Sequence, residues 1–170
     1  LVAKARFERG GSTASVINSR RELEAHLGTR GDYPWMYQEL VGADSKTFAH
    51  CGLFEKGVPL REFQHLELRS VPRVGGSGTR LRSLRDPELA FAARKLLHEI
   101  QWSGLAQVEF KRDEQGKLVL MEINPKLWAS YSLAHKSGAN LATHAVRKAL
   151  NLQQVPDDGY REIEMAFPLR

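Results

Sequence analysis

The residues best suited to chemistry are Glu109, Glu122 and Asn124, which fall in two neighbouring strand-like segments, 105–111 and 118–124. Strand side chains alternate between faces, so in Val119, Leu120, Met121, Glu122, Ile123, Asn124 the acid and the amide share one face. In the preceding segment Gln107, Glu109 and Lys111 share a face, and Ala106, Val108 and Phe110 take the other. A turn over 113–116 joins the two. A two-residue loop at Gln115 and Gly116 pairs Glu114 with Lys117 and sets Glu109 directly across from Glu122, whereas a four-residue loop keeps the facing and places the acids on a diagonal. Directly opposed strand residues have Cβ atoms roughly 4.5–5.5 Å apart, and like charges there repel. A hard divalent cation would offset them, since Mg²⁺ takes oxygen ligands, typically one or two carboxylates together with phosphate oxygens. The alternative is a solvated polar face on which Lys111 or Lys117 offsets the acids.

Several elements must hold that hairpin in place. Ser19, Arg20, Arg21, Glu22 has the form of a capping box and predicts a short helix to Leu27. The turn-rich stretch 28–34 then leads into an aromatic, apolar strand over 35–41 that ends at Gly42, so the first lobe reads strand, helix, strand. Two strand-like stretches, 47–54 and 60–71, flank the turn Glu55, Lys56, Gly57 and predict a second hairpin. Asp86 followed by Pro87 is a helix start, and Leu89, Ala93, Leu96, Leu97 and Ile100 follow at helical spacing. After Pro125 two further helices are expected, over 130–136 and 141–150, separated by Gly138, with Asn140 as a cap for the second. The tail from Gln153 onward receives no role.

The 170 residues, 42% of them apolar, suffice to bury a core as one domain or two small lobes. A net charge of +5 favours anionic partners, and five arginines (Arg69, Arg73, Arg80, Arg82, Arg85) surround the glycine-rich run Gly75, Gly76, Ser77, Gly78, which reads as a phosphate-facing or mobile surface loop. Nucleic-acid binding is the weaker reading of this charge, because no recognisable module and no aromatic-plus-basic surface pattern accompanies it. The single cysteine, Cys51, excludes an intrachain disulfide framework and fits the cytoplasm. No apolar run is long enough to span a bilayer as a helix, so no membrane partner is expected. The opening Leu1, Val2, Ala3, Lys4 reads like the interior of a strand, which predicts a fragment of something longer.

Taken together, Gly104, Leu105, Ala106, Gln107, Val108, Glu109, Phe110, Lys111 and then Met121, Glu122, Ile123, Asn124, Pro125 resemble the end of an ATP-grasp domain. That superfamily includes biotin carboxylase, the large subunit of carbamoyl-phosphate synthetase and many carboxylate-amine ligases. The resemblance implies an α+β fold of two lobes with mainly antiparallel sheets and nucleotide bound between them, a small lobe over 1–42 and a large lobe over 43–170, and a missing preceding domain. It also implies Mg²⁺, or Mn²⁺ in its place, held by Glu109, Glu122 and Asn124 so as to bridge ATP phosphates. The family usually continues Asn-Pro-Arg where this chain has Lys126. A lysine keeps the charge and loses the planar bidentate fork, so Lys126 is the candidate catalytic residue toward the phosphoryl group.

Other segments align with the nucleotide site through the same resemblance. Lys4, Gly10, Gly11 and Ser12 are similar to the basic strand residue and flexible phosphate-covering loop, although a Gly-Gly-Ser is by itself an ordinary turn. Gln38, Glu39, Leu40, Val41 resemble the segment between the lobes whose backbone pairs with the adenine edge, and Asp44 is the nearest acid for the ribose. Trp128, Ser130 and Tyr131 could contact an acceptor or belong to the core. The function implied is an ATP-dependent ligase that activates an unidentified carboxylate as an acyl phosphate for attack by an amine or other nucleophile. The competing expectation is a nucleotide-binding module of the same fold without catalysis.

Overall fold

The computed structural model describes residues 1–6, 14–29, 31–32, 34–42, 46–71, 76–155 and 159–167. Apolar alternation and turn chemistry divide them between two antiparallel sheets. The first has three strands, β1 (Val2–Ala5), β2 (Ser15–Val16) and β3 (Trp35–Gln38), in the order β2-β1-β3, with the helix α1 (Arg20–Thr29) between β2 and β3. Here the expectation of strand, helix, strand omitted β2, and β3 ends at Gln38 rather than at Val41. The capping box forms in shifted form: Glu22 N–H donates to Ser19 Oγ at 3.2 Å, while Glu22 Oε2 accepts from Asn18 N–H, one residue before the expected donor, at 2.8 Å.

The second sheet has six strands in the order β8-β7-β4-β5-β6-β9, all neighbours antiparallel. They are β4 (Phe48–Glu55), β5 (Val58–Val71), β6 (Ser77–Ser83), β7 (Gly104–Arg112), β8 (Leu118–Asn124) and β9 (Glu164–Ala166). Two of these correct the sequence reading. Ser77 and Gly78, expected within a loop, open β6 and pair with β5, and the tail supplies β9, a three-residue strand that closes the sheet edge against Arg80, Leu81 and Arg82.

Each face of the large sheet carries its own core. On one face α2 (Pro87–Glu99) sets Leu89, Ala93 and Leu97, a stripe at i, i+4 and i+8, against Phe54, Ala106, Val108 and Phe110. Asp86 starts this helix as expected, its side chain accepting from the Glu88 and Leu89 N–H groups at 2.9 and 3.1 Å. The opposite face, with Ala49, Cys51, Leu53, Phe63 and Leu81, is covered by α3 (Tyr131–Ser137), α4 (Leu141–Ala149) and the side chain of Trp128. Trp128 and Tyr131 thus belong to the core, Tyr131 Oη accepting from Ala142 N–H at 2.9 Å. Gly138 ends α3 in the left-handed conformation at φ 105°. Asn140 does not cap α4 through its side chain: it is itself left-handed, at φ 48°, and donates back to the Gly138 carbonyl at 3.1 Å.

Candidate functional site

Glu109 on β7 lies directly across from Glu122 on β8, and Gln107 lies across from Asn124. The pairing is reached by a route the sequence reading missed. Arg112 pairs with Leu118, so the turn is five residues long, held by Asp113 Oδ1, which accepts from the Gln115 and Lys117 N–H groups at 3.0 and 2.8 Å. In a regular ladder that turn would put Met121 across from Glu109. A bulge at Met121, between the Phe110–Leu120 and Glu109–Glu122 pairs, restores the facing. It also resets the alternation, so that Leu118 and Ile123 both pack toward the α2 core while Glu122 and Asn124 turn to the other face.

That face is the one covered by α3 and α4. Cross-strand register runs Glu122, Glu109, Ala49, His65, Ser83 in one row and Asn124, Gln107, Cys51, Phe63 in the next, so the acids sit on the rim of an apolar core. Asn124 Nδ2 donates to Glu122 Oε1 at 2.7 Å and to Gln107 Oε1 at 3.4 Å, which orients the amide. Burial above all, with the charges of Glu122 and Glu67 and a hydrogen bond to Glu122, pushes the Glu109 carboxyl up to about 8, while Lys4 acts in the opposite sense. Cys51, buried in the next row, has its thiol pushed well up, by burial first and then by Glu109, so it is a neutral core residue.

Glu67 is a third carboxylate at this place and was not singled out from the sequence. It lies on β5 across from Leu81, accepts from Ser70 Oγ at 3.1 Å, and is raised by burial and by Glu122 against the pull of Ser70 and Lys111. Lys111 Nζ donates to the Gly42 carbonyl at 3.2 Å, tying the hairpin to the segment between the sheets. Lys111 acts on Glu67 and Gly42, and among the described residues Lys4, from β1 of the other sheet, acts on Glu109. Two mutually repelling carboxylates and an oriented amide form an oxygen donor set suited to a hard cation, with Lys4 of the other sheet adding positive charge beside it. Among the described residues no group of three or more His, Cys, Asp or Glu is gathered into a metal cage.

The remaining expected residues are spread around this centre. Gln38 ends β3 opposite Val2; Glu39 is exposed, and Leu40 and Val41 are half-buried in the connection that follows. Lys126 is exposed, two residues beyond β8. Gly10, Gly11, Ser12 and Asp44 lie outside the described residues.

The match to a family model identifies this fold as that of an ATP-grasp protein. A sequence model for the ATP-grasp in the biosynthetic pathway with Ter operon matches residues 60–166, and the chain belongs to that family. No curated protein matches it. Many solved structures are similar in fold, among them the following three. An ADP complex of N5-carboxyaminoimidazole ribonucleotide synthetase is 15% identical with a TM-score of 0.74, over 97% of this chain and 45% of that one. A biotin carboxylase from Campylobacter jejuni, in a complex described as β-γ-ATP, is 14% identical with a TM-score of 0.68, over 94% and 39%. The biotin carboxylase domain of Hydrogenobacter thermophilus 2-oxoglutarate carboxylase, with MgADP, ADP and bicarbonate, is 15% identical with a TM-score of 0.67, over 90% and 37%. The chain spans less than half the length of each of these chains. Among the described residues, no helix is long and apolar enough to cross a membrane.

Proposed function

We propose that this chain is the nucleotide-binding part of an ATP-dependent ligase, a small lobe over 1–42 and a large lobe over 43–170 that together activate a carboxylate as an acyl phosphate for attack by an amine or other nucleophile. The observation that carries the reading is the direct opposition of Glu109 and Glu122, with Asn124 bonded to Glu122, on a face that Lys4 of the other lobe reaches electrostatically. Glu109, Glu122 and Asn124 would hold Mg²⁺, whose chemistry here is neutralisation of charge on the nucleotide phosphates. Lys4 would add positive charge at the phosphates, and the Gln38–Val41 connection would offer backbone groups to the adenine edge. Lys126, just past β8, would stabilise charge on the transferring phosphoryl group. The similarity to a structure that contains MgADP supports the nucleotide and the metal.

A second reading, a nucleotide-binding module without turnover, draws on one observation: Lys126 stands where the family usually carries arginine. The first test is thermal denaturation with ADP, with and without Mg²⁺. A ligand at about 100 times its dissociation constant adds roughly 2.7 kcal/mol, and the stabilisation is expected only with Mg²⁺ and to be lost in Glu122→Gln. Equal shifts with and without the metal would remove the basis for the metal site. Phosphate release from ATP in the presence of candidate carboxylates, measured on the full-length protein, then separates ligase from module.

A further inference from the structure

Three of the arginines around the glycine-rich run meet on the large sheet and take no part in the nucleotide reading. Arg69 on β5 lies directly across from Arg80 on β6, and Arg82 follows two residues on. A guanidinium is charged at every working pH, and like charges directly opposed on neighbouring strands repel. Bulges on either side of Arg69 break the ladder at this place, and Thr79 Oγ1 donates to the Arg69 carbonyl at 3.4 Å. Leu81 packs into the core under α3 and α4, so by alternation Arg80 and Arg82 take the other face of β6.

Glu164 on β9, across from Arg82, accepts from Arg80 Nε and leaves both Nη groups of Arg80 uncommitted. Glu162 lies further from Arg80, beside Ser83, whose N–H donates to the Ile163 carbonyl. Among the described residues the Arg69 and Arg82 side chains have no hydrogen-bond or ion-pair partner. The two opposed arginines line a hollow of about 510 Å³ together with Leu68, Thr79, Ala166 and Phe167, a size within the roughly 300–1,000 Å³ of small-molecule sites. It offers two planar cationic forks, a hydroxyl and an apolar surface at one place.

We propose that this hollow binds a small molecule in which a phosphate or carboxylate group is joined to an apolar body. The oxyanion would bridge Arg69 and Arg80 and relieve their repulsion, and the body would lie on Leu68 and Phe167. None of these residues belongs to the proposed metal and nucleotide set, so the inference is independent of the ligase reading.

The probes are phenyl phosphate and benzoate, with benzyl alcohol as the neutral control and inorganic phosphate as the anion without an apolar body. Each is titrated at fixed ionic strength into ¹⁵N-labelled protein, with and without MgADP, and amide chemical shifts report binding. At least one aromatic anion is expected to saturate with a dissociation constant below about 1 mM, with shifts centred on Arg69, Thr79 and Phe167. The tighter of the two tells phosphate from carboxylate recognition. Benzyl alcohol is expected not to bind, and inorganic phosphate to bind more weakly than the better aromatic anion. Arg69→Gln, an exposed change with the melting temperature expected to stay at the wild-type value, should weaken binding about tenfold. Glu164→Gln, which frees Arg80, should tighten it. The proposal is overturned if neither aromatic anion saturates, if benzyl alcohol or inorganic phosphate binds as tightly, or if Arg69→Gln leaves affinity unchanged. It is equally overturned if Glu164→Gln fails to tighten binding, or if MgADP displaces the probe, because the anion would then occupy the nucleotide's phosphate site.

Discussion

Glu109 carries a cost of its position that can be measured without any ligand. Its carboxyl is pushed up to about 8 from the ordinary 4.5, so between these values the folded protein holds a proton that the unfolded chain has released, and stability falls as pH rises through that window. His65 works in the other direction: burial holds it at about 4 instead of 6.5, and its contribution is lost as pH falls from 6.5 toward 4. Glu109→Gln, a neutral isostere, removes only the first effect. The wild-type melting temperature should therefore drop relative to Glu109→Gln between about pH 5.5 and 8, and parallel curves would show that Glu109 is not held protonated. At this scale the shared face of Glu122 and Asn124 was legible in the sequence from alternation, whereas the opposition of Glu109 and Glu122 depends on the bulge at Met121, for which the sequence carries no local signal. Glu67 was not legible, because it reaches them only through the pairing of β5 with β4 and β4 with β7, and bulges on either side of Arg69 break the alternation that would have flagged it.

Elements with local signals were legible, and elements made by distant pairing were not. The helix after Asp86 is written in a cap, a proline and an apolar stripe, and β8 in an alternating hexapeptide closed by Pro125. β2 and β9 are two and three residues long and exist as partners of β1 and β6, so no window of sequence contains their cause. Asp86 illustrates how much one local signal does. Beyond its two cap bonds, it receives Arg112 Nη2 at 3.1 Å, and its backbone exchanges bonds with the Gln64 side chain at 2.6 and 2.9 Å, joining α2 to β5 and β7. Asp86→Ala should cost about 1–2 kcal/mol in urea denaturation, and Asp86→Asn, which keeps the cap, distinctly less. Equal losses would place the effect in the Arg112 ion pair.

The two sheets communicate at the carboxylate centre through Lys4 from one side and through Lys111, bonded to the Gly42 carbonyl, from the other. Lys111→Met keeps the apolar stem and removes that bond, so it should weaken Mg²⁺-dependent ADP affinity while changing apo stability by less than about 1 kcal/mol. Affinity unchanged in calorimetry would mean that the bond does not set the approach of the lobes. Whether the assembled lobes transfer a phosphoryl group or only hold nucleotide is decided at Lys126, which is exposed and so can be altered with little effect on the fold. Charge on the phosphoryl group grows as transfer proceeds, so a lysine serving catalysis contributes more to the transition state than to bound ATP. In the full-length protein Lys126→Ala should then lower kcat more than it raises the KM for ATP, and Lys126→Arg, which restores charge and adds a second donor, should retain most of the rate. A lysine that only contacts ground-state phosphate gives the reverse: a higher KM with kcat near the wild-type value. Steady-state kinetics of these two variants, with ATP varied at saturating acceptor, separate the outcomes, and the second pattern would favour the nucleotide-binding module over the ligase.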